Sequence, residues 1–113
     1  MQETMLLIRE LESEMQKLCD VGEAGDLHFS KGQEAIAVGT MAALRPTDYV
    51  VGHHRPIAHA IAKGVALYPL VCELLGKADG LNGGMAGELH LNSPEQRFMF
   101  GPALIGTGVP VAA

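Results

Sequence analysis

A short apolar run that ends in a basic cluster is the feature that most constrains this chain. The run Tyr49-Val50-Val51 has the length and the β-branched content of a buried strand. Gly52 follows it, and the next residues are His53, His54 and Arg55. Open α/β sheets bind their ligands at the carboxyl ends of strands, and an arginine there can hold a phosphate or carboxylate with its planar set of donors. The sequence therefore predicts a ligand site where this strand ends.

The segments on either side of this strand predict helices. Between residues 5 and 19, apolar side chains recur at intervals of three and four, which indicates an amphipathic helix whose other faces carry Glu10, Glu12, Glu14 and Lys17. Further helices are predicted over residues 30–44, 55–63 and 67–75. Aromatic residues make up only 4% of the chain and glycine occurs 14 times. This composition favours helices packed closely on a sheet over a β-sandwich.

Capping residues indicate where these helices begin and end. Ser30 and Gln33 fit a capping box at the start of the second helix. Gly64 is placed to end the third helix in a left-handed conformation. Residues 76–101 are rich in glycine and predict a long loop, in which residues 98–100 are predicted to form a short strand. A loop of this length in a small domain is usually functional or disordered.

Charge and composition limit the classes of partner. The net charge of −5 argues against binding to the phosphate backbone of nucleic acids. No apolar run approaches the roughly 20 residues that a membrane span needs. The two cysteines are far apart and form no C-x-x-C pair, and the first residues lack the pattern of a signal peptide, so we expect a cytoplasmic protein. The 113 residues suffice for one small domain, but the apolar end suggests a fragment.

Two residues near the second helix attract separate interpretations. His28 lies in a predicted loop, and a histidine titrates near neutrality, so it can act as an acid, a base or a hydrogen-bond donor. Glu34 falls in the first turn of the helix, where a carboxylate suits the helix dipole and can pair with a neighbour. The residues alone leave open whether His28 is functional or simply exposed, and they indicate a structural role for Glu34.

Two further patterns are weaker. His53, His54, His59 and His90 raise the question of a zinc site, but they do not show the converging spacing that zinc ligands need, so no metal site is predicted. Gly106-Thr107-Gly108 resembles half of a dinucleotide-binding motif, without its third glycine. A dinucleotide-dependent oxidoreductase therefore stays open as an alternative. So does a non-catalytic interaction module that binds a partner through residues 76–101.

Six short stretches stand in the order known from one protein family. They are residues 28–35 with 38–39, 48–51, 54–55 with 59–64, 73–77, 87–90, and 105–106 with 109–110. In this combination the chain resembles the alpha subunit of the thiamine-diphosphate-dependent, decarboxylating component of 2-oxo acid dehydrogenase complexes, and its acetoin dehydrogenase relatives. The resemblance covers about residues 6–113 and only the N-terminal part of the family subunit, so residues 1–113 are expected to form part of its cofactor-binding domain.

The resemblance implies a fold and a set of site residues. The fold is a thiamin diphosphate-binding α/β fold with helices on both faces of a parallel sheet, here incomplete and mostly helical. His54 and Arg55 match positions that hold the diphosphate of the cofactor. Ala103 and Ile105 match positions whose main chain contacts the aminopyrimidine ring. His28 matches a histidine near the thiazolium and the substrate.

The resemblance also implies a reaction and partners. The reaction is oxidative decarboxylation of a 2-oxo acid, or the analogous cleavage of acetoin, with transfer of the acyl group to a lipoyl group. The partners are a beta subunit, in heterotetramers of two alpha and two beta subunits, and a lipoyl-bearing acyltransferase. The magnesium ligands of the family are expected after residue 113, so the 113 residues alone are expected to be inactive. Pro56-Ile57 and Glu88-Leu89 depart from the common family pattern and leave the substrate open.

Overall fold

A computed structural model describes all residues from Met1 to Ala113 as five α-helices and two short strands. The strands pair in parallel, with Val50 opposite Phe98 and Val51 opposite Phe100. This arrangement confirms an incomplete, mostly helical α/β fold. In chain order the elements are α1 (Gln2–Asp20), α2 (Glu34–Ala42), β1 (Val50–Val51), α3 (Ile57–Lys63), α4 (Leu67–Leu74), the 3₁₀ helices Glu88–His90 and Pro94–Gln96, β2 (Phe98–Phe100) and α5 (Gly108–Ala112).

Helix α3 lies at the centre of the apolar core. Ile57, Ala58 and Ala60 are fully buried, and Ile61 is nearly so. The alanines carry little side-chain volume, which allows α1 and α2 to pack directly against this helix. None of the helices combines the length and the apolar character needed to cross a membrane.

The amphipathic α1 is confirmed, but the prediction for one of its glutamates is wrong. Ile8, Glu12 and Met15 form the buried face of the helix, and Glu12 is only 1% exposed. Glu12 follows Ile8 by four residues, so it lies on the same face as the apolar side chains. The predicted position of Glu12 on a solvent-facing side ignored this spacing.

The predicted capping box at Ser30 is also wrong. Helix α2 begins at Glu34, its N-cap is Gln33, and no side chain caps it. The backbone of Gly32 is left-handed (φ 84°), which turns the chain between Ser30 and the helix. The N–H of Gln33 consequently donates to the carbonyl of Ser30 at 2.8 Å, and Ser30 lies outside the helix.

The C-terminal end of α3 follows the predicted capping, whereas its start does not. Gly64 caps the helix with a left-handed backbone (φ 97°), as predicted. The start is later than predicted, at Ile57, because Pro56 occupies the N-cap position. The basic cluster at His53–Arg55 therefore lies in the connection between β1 and α3, outside the helix.

The glycine-rich loop after α4 is folded around one buried carboxylate. Glu73 is 1% exposed and accepts hydrogen bonds of 2.7–3.0 Å from four backbone N–H groups, those of Asn82, Gly84, Ala86 and Gly87. Burial opposes the ionisation of Glu73, but the four donors together outweigh it and lower its pKa. A side chain at Gly80 would overlap this carboxylate, because its Cβ would lie 2.5 Å from Oε2. The hydrogen bonds to Glu73 therefore hold the loop in one conformation.

We expect Glu73→Gln to lower the free energy of unfolding of the protein by about 2–4 kcal/mol, because one acceptor oxygen becomes an NH₂ group that faces N–H donors. Glu14→Gln is the matched control, since Glu14 is exposed and pairs only with Lys17. The control should change stability by less than about 0.5 kcal/mol. Denaturant unfolding followed by circular dichroism measures both. Equal effects of the two substitutions would contradict the central role of Glu73.

Candidate functional site

The connection after β1 presents the basic cluster at the carboxyl end of the strand, as predicted. The N–H of Gly52 donates to the carbonyl of Phe100 at 2.8 Å and so extends the pairing with β2. The ring nitrogen Nδ1 of His53 then accepts a hydrogen bond from the N–H of Arg55 at 3.1 Å, which closes a tight turn. His54 lies between these two residues. The turn therefore fixes the backbone from which the three side chains project.

A cavity of about 490 Å³ opens beside this turn. His53, His54 and His59 contribute imidazoles to its wall, and most of the remaining wall is apolar. Nδ1 of His59 is buried without a hydrogen-bond partner, and burial, followed by the neighbouring His53, lowers the pKa of His59 to about 4. The neutral imidazole of His59 and the aliphatic side chains suit an apolar or aromatic ring of a ligand. The apolar wall includes Met41, Leu44, Val51, Leu104, Ile105 and Val109.

The structure divides the predicted cofactor-binding residues between this cavity and its surroundings. His54 and Ile105 line the cavity, whereas Arg55 and Ala103 do not. Ala103 lies in an exposed turn before α5. Nη1 of Arg55 donates to the carbonyl of Phe29 at 3.1 Å, so the guanidinium contacts the loop that carries His28. Arg55 thus connects the end of β1 to the predicted catalytic histidine.

The loop from His28 to Gly32 is held by buried glutamates at alternate residues. The N–H of His28 donates to both oxygens of Glu88 at 2.9 and 2.8 Å, and the N–H of Ser30 donates to both oxygens of Glu12 at 2.9 Å. The N–H of Gly32 donates to Glu34 at 3.1 Å. These carboxylates accept the backbone hydrogen bonds that the carbonyl groups of a neighbouring strand would accept in a sheet. This loop therefore has a fixed backbone although it belongs to no regular element.

The comparison with known proteins decides the family. Residues 2–113 match the family described as "Dehydrogenase E1 component". The chain belongs to this family.

Relatives of this dehydrogenase E1 chain carry two kinds of name. The pyruvate dehydrogenase E1 component subunit alpha of Zymomonas mobilis is 39% identical over 111 residues, which are 96% of this chain and 31% of the relative. The protein of that name from Porphyra purpurea is 37% identical over 97% of this chain and 32% of its own length. The alpha subunit of acetoin:2,6-dichlorophenolindophenol oxidoreductase of Bacillus subtilis is 34% identical over 99% of this chain and 34% of its own length. The chain thus spans about a third of the length of these relatives.

Glu88 forms a pair with the predicted catalytic residue His28, since it contacts both the backbone and the ring of this histidine. Nδ1 of His28 lies 3.1 Å from Oε2 of Glu88. The histidine side chain is 51% exposed and the glutamate side chain only 3%. Burial raises the pKa of Glu88, while the hydrogen bonds from His28 and the charge of Arg55 oppose this rise. The pair therefore combines a fixed, buried carboxylate with an accessible imidazole.

Glu34 has the structural role predicted for it. Its carboxylate pairs with the guanidinium of Arg9 on α1, and this hydrogen bond, against the effect of burial, lowers the pKa of Glu34 to about 2. Glu12 shows the opposite balance, because burial raises its pKa more than the bond from Ser30 lowers it. The loop before α2 is therefore anchored by the ionised Arg9–Glu34 pair and by carboxylates whose ionisation is opposed by burial.

Sequence reasoning missed Glu12 and Glu88 as site residues. Glu12 interrupts the apolar face of α1 four residues after Ile8, and a charged residue at such a position signals a buried partner. Glu88 gives no such signal, since it lies in a glycine-rich loop and its partner His28 is 60 residues away in the chain. No group of three or more His, Cys, Asp or Glu side chains is arranged to hold a metal ion.

We expect Arg9→Gln to make the protein unfold at a higher pH during acid titration. The folded-state pKa of Glu34 lies below its ordinary value of 4.5, so the pair stabilises the fold above about pH 4.5 and this contribution is lost as the pH falls toward 2. Without Arg9, a buried Glu34 takes up its proton earlier. Circular dichroism between pH 7 and pH 2 measures the midpoint.

Lys17→Gln is the control for this titration, because it breaks the exposed Lys17–Glu14 pair on the same helix. It should leave the acid midpoint unchanged. An Arg9→Gln midpoint equal to that of the control would show that Arg9 does not set the ionisation of Glu34.

Proposed function

We propose that this chain is part of an enzyme that uses thiamine diphosphate for the oxidative decarboxylation of a 2-oxo acid, or for cleavage of acetoin, with acyl transfer to a lipoyl group. The observation that carries the proposal is the match of residues 2–113 to the dehydrogenase E1 component family, which is thiamine diphosphate dependent. Names of relatives include both pyruvate and acetoin, so both substrate classes are retained. In this proposal residues 1–113 form the amino-terminal part of a larger cofactor-binding domain.

The residues around the end of β1 fit such a cofactor. Nε of Arg55 is buried without a hydrogen-bond partner, while Nη1 is anchored on Phe29. A buried N–H without an acceptor is unfavourable, and an oxygen of a diphosphate would satisfy it with a charge-assisted bond. The apolar cavity beside His54 has room for an aromatic ring. Thiamine diphosphate presents both an anionic diphosphate and aromatic rings.

In this arrangement Arg55 and His54 would hold the diphosphate. The main chain of Ala103 and Ile105 would contact the aminopyrimidine ring. When bound, thiamine diphosphate supplies the electron sink for the loss of carbon dioxide. His28 would face the reacting group and exchange a proton with it through Nε2, the ring nitrogen that does not contact Glu88.

We also propose a beta subunit and a lipoyl-bearing acyltransferase as partners. The names of the relatives identify them as alpha subunits, which supports a second type of subunit. Magnesium would be held by residues outside the 113 described here, consistent with the cofactor's need for a counter-ion to its diphosphate. A cytoplasmic location is supported by Cys19 and Cys72, which are both free thiols.

Arg55→Ala in the complete protein should weaken thiamine diphosphate binding by about 1.5–3 kcal/mol, which is about 10- to 150-fold in Kd, because a charge-assisted phosphate contact is lost. Arg45→Ala is the charge-matched control, since Arg45 is 82% exposed and pairs only with Asp48 and so should not change Kd. Isothermal titration calorimetry with thiamine diphosphate measures both. An unchanged Kd for Arg55→Ala would contradict its assignment.

His28→Ala should slow acyl transfer more than it weakens cofactor binding. The imidazole is proposed to act on the reacting group, so its removal affects kcat by about 100-fold or more and the Kd for thiamine diphosphate by much less. Steady-state kinetics with pyruvate, a branched-chain 2-oxo acid and acetoin, combined with calorimetry, measure the two effects. Equal losses in both would count against a catalytic role for His28.

A further inference from the structure

We propose that Glu88 is a positioning residue for His28: its carboxylate fixes the orientation of the imidazole and directs Nε2 toward the reacting group. This inference rests on the catalytic role proposed for His28. Glu88 itself is buried and need not touch the substrate.

The carboxylate of Glu88 contacts both the backbone and the ring of His28. Both oxygens of Glu88 accept from the N–H of His28, at 2.9 and 2.8 Å, and Oε2 lies 3.1 Å from Nδ1 of its ring. The backbone contact fixes where the side chain begins, and the ring contact fixes how the imidazole is rotated. The two contacts together leave the ring little freedom, although it is 51% exposed.

The same contact assigns the position of the ring hydrogen. Both oxygens of Glu88 accept the backbone N–H of His28, which fits an ionised carboxylate, and an ionised carboxylate can only accept hydrogen bonds. Nδ1 of His28 therefore carries a hydrogen and donates to Glu88. Nε2 of the neutral ring is then left with a free lone pair on the accessible side. A carboxylate that orients a catalytic histidine in this way is known to matter for rate more than for binding.

Glu12 provides an internal comparison for the structural part of this role. Both oxygens of Glu12 accept a hydrogen bond at 2.9 Å from the N–H of Ser30, which lies in the same loop as His28 and two residues after it. The Glu12 residue is 1% exposed. No imidazole forms a hydrogen bond with Glu12. Glu12 and Glu88 therefore share the task of holding the loop, and only Glu88 also reaches the ring of His28.

The test is a double-mutant cycle in the complete holoenzyme. Glu88→Gln and Glu12→Gln are each made alone and together with His28→Ala, and kcat, KM and the Kd for thiamine diphosphate are measured. We expect Glu88→Gln alone to lower kcat at least about 10-fold, because the amide can support the wrong tautomer, with KM and Kd changed much less. In the His28→Ala background it should change kcat less than about 2-fold. Glu12→Gln should have the same effect in both backgrounds.

Two kinetic outcomes would overturn the proposal. The first is a loss of kcat by Glu88→Gln that is as large without the imidazole as with it, since Glu88 would then only hold the loop. The second is an unchanged kcat in the single variant.

A second measurement does not require a variant that folds or an active enzyme. In the complete protein with ¹⁵N-labelled histidine, the ring shifts of His28 at neutral pH should show hydrogen on Nδ1. Hydrogen on Nε2 alone would overturn the proposal. Absence of both turnover and thiamine diphosphate binding in the unmodified protein would reject the proposed function instead, and the ¹⁵N shifts would still decide the Glu88–His28 arrangement.

Discussion

Four glutamate side chains, Glu12, Glu34, Glu73 and Glu88, are buried, and each accepts hydrogen bonds from backbone N–H groups of loops. The chain has only five residues in strands, so most of its non-helical backbone has no sheet partner. A buried N–H must nevertheless be satisfied. In this fold, carboxylates of neighbouring elements supply the missing acceptors.

The hydrogen-bond donors and charges around each buried carboxylate decide whether its pKa is raised or lowered. Glu73 accepts from four N–H groups and its pKa is lowered in spite of burial. Glu12 and Glu88 each accept from one backbone N–H, and burial raises their pKa values. Glu34 owes its low pKa chiefly to Arg9. Loop order and carboxylate ionisation therefore depend on each other, because each donor lost leaves a buried charge less well solvated.

This arrangement places two different surfaces next to each other at the end of β1. His54 lines the apolar cavity, whereas its neighbour Arg55 contacts the loop of His28. The separation follows from the tight turn closed between His53 and Arg55. An apolar ring and an anionic group on one ligand would find complementary surroundings here, and the glutamates keep the polar side in place.

The sequence by itself determined the local elements and the family. The apolar spacing of α1, the valines of β1 and Gly64 at the end of α3 act through nearby residues, so they could be read directly. The ligand site at His53–Arg55 stays a prediction. Only the tertiary structure decided which charged residues matter around it. Glu88 meets His28 across 60 residues, Glu12 reaches Ser30 and Arg55 reaches Phe29. Such contacts depend on how helices pack. The position of Glu12 on an apolar face signals a buried partner but not which one, and the sequence around Glu88 gives no signal.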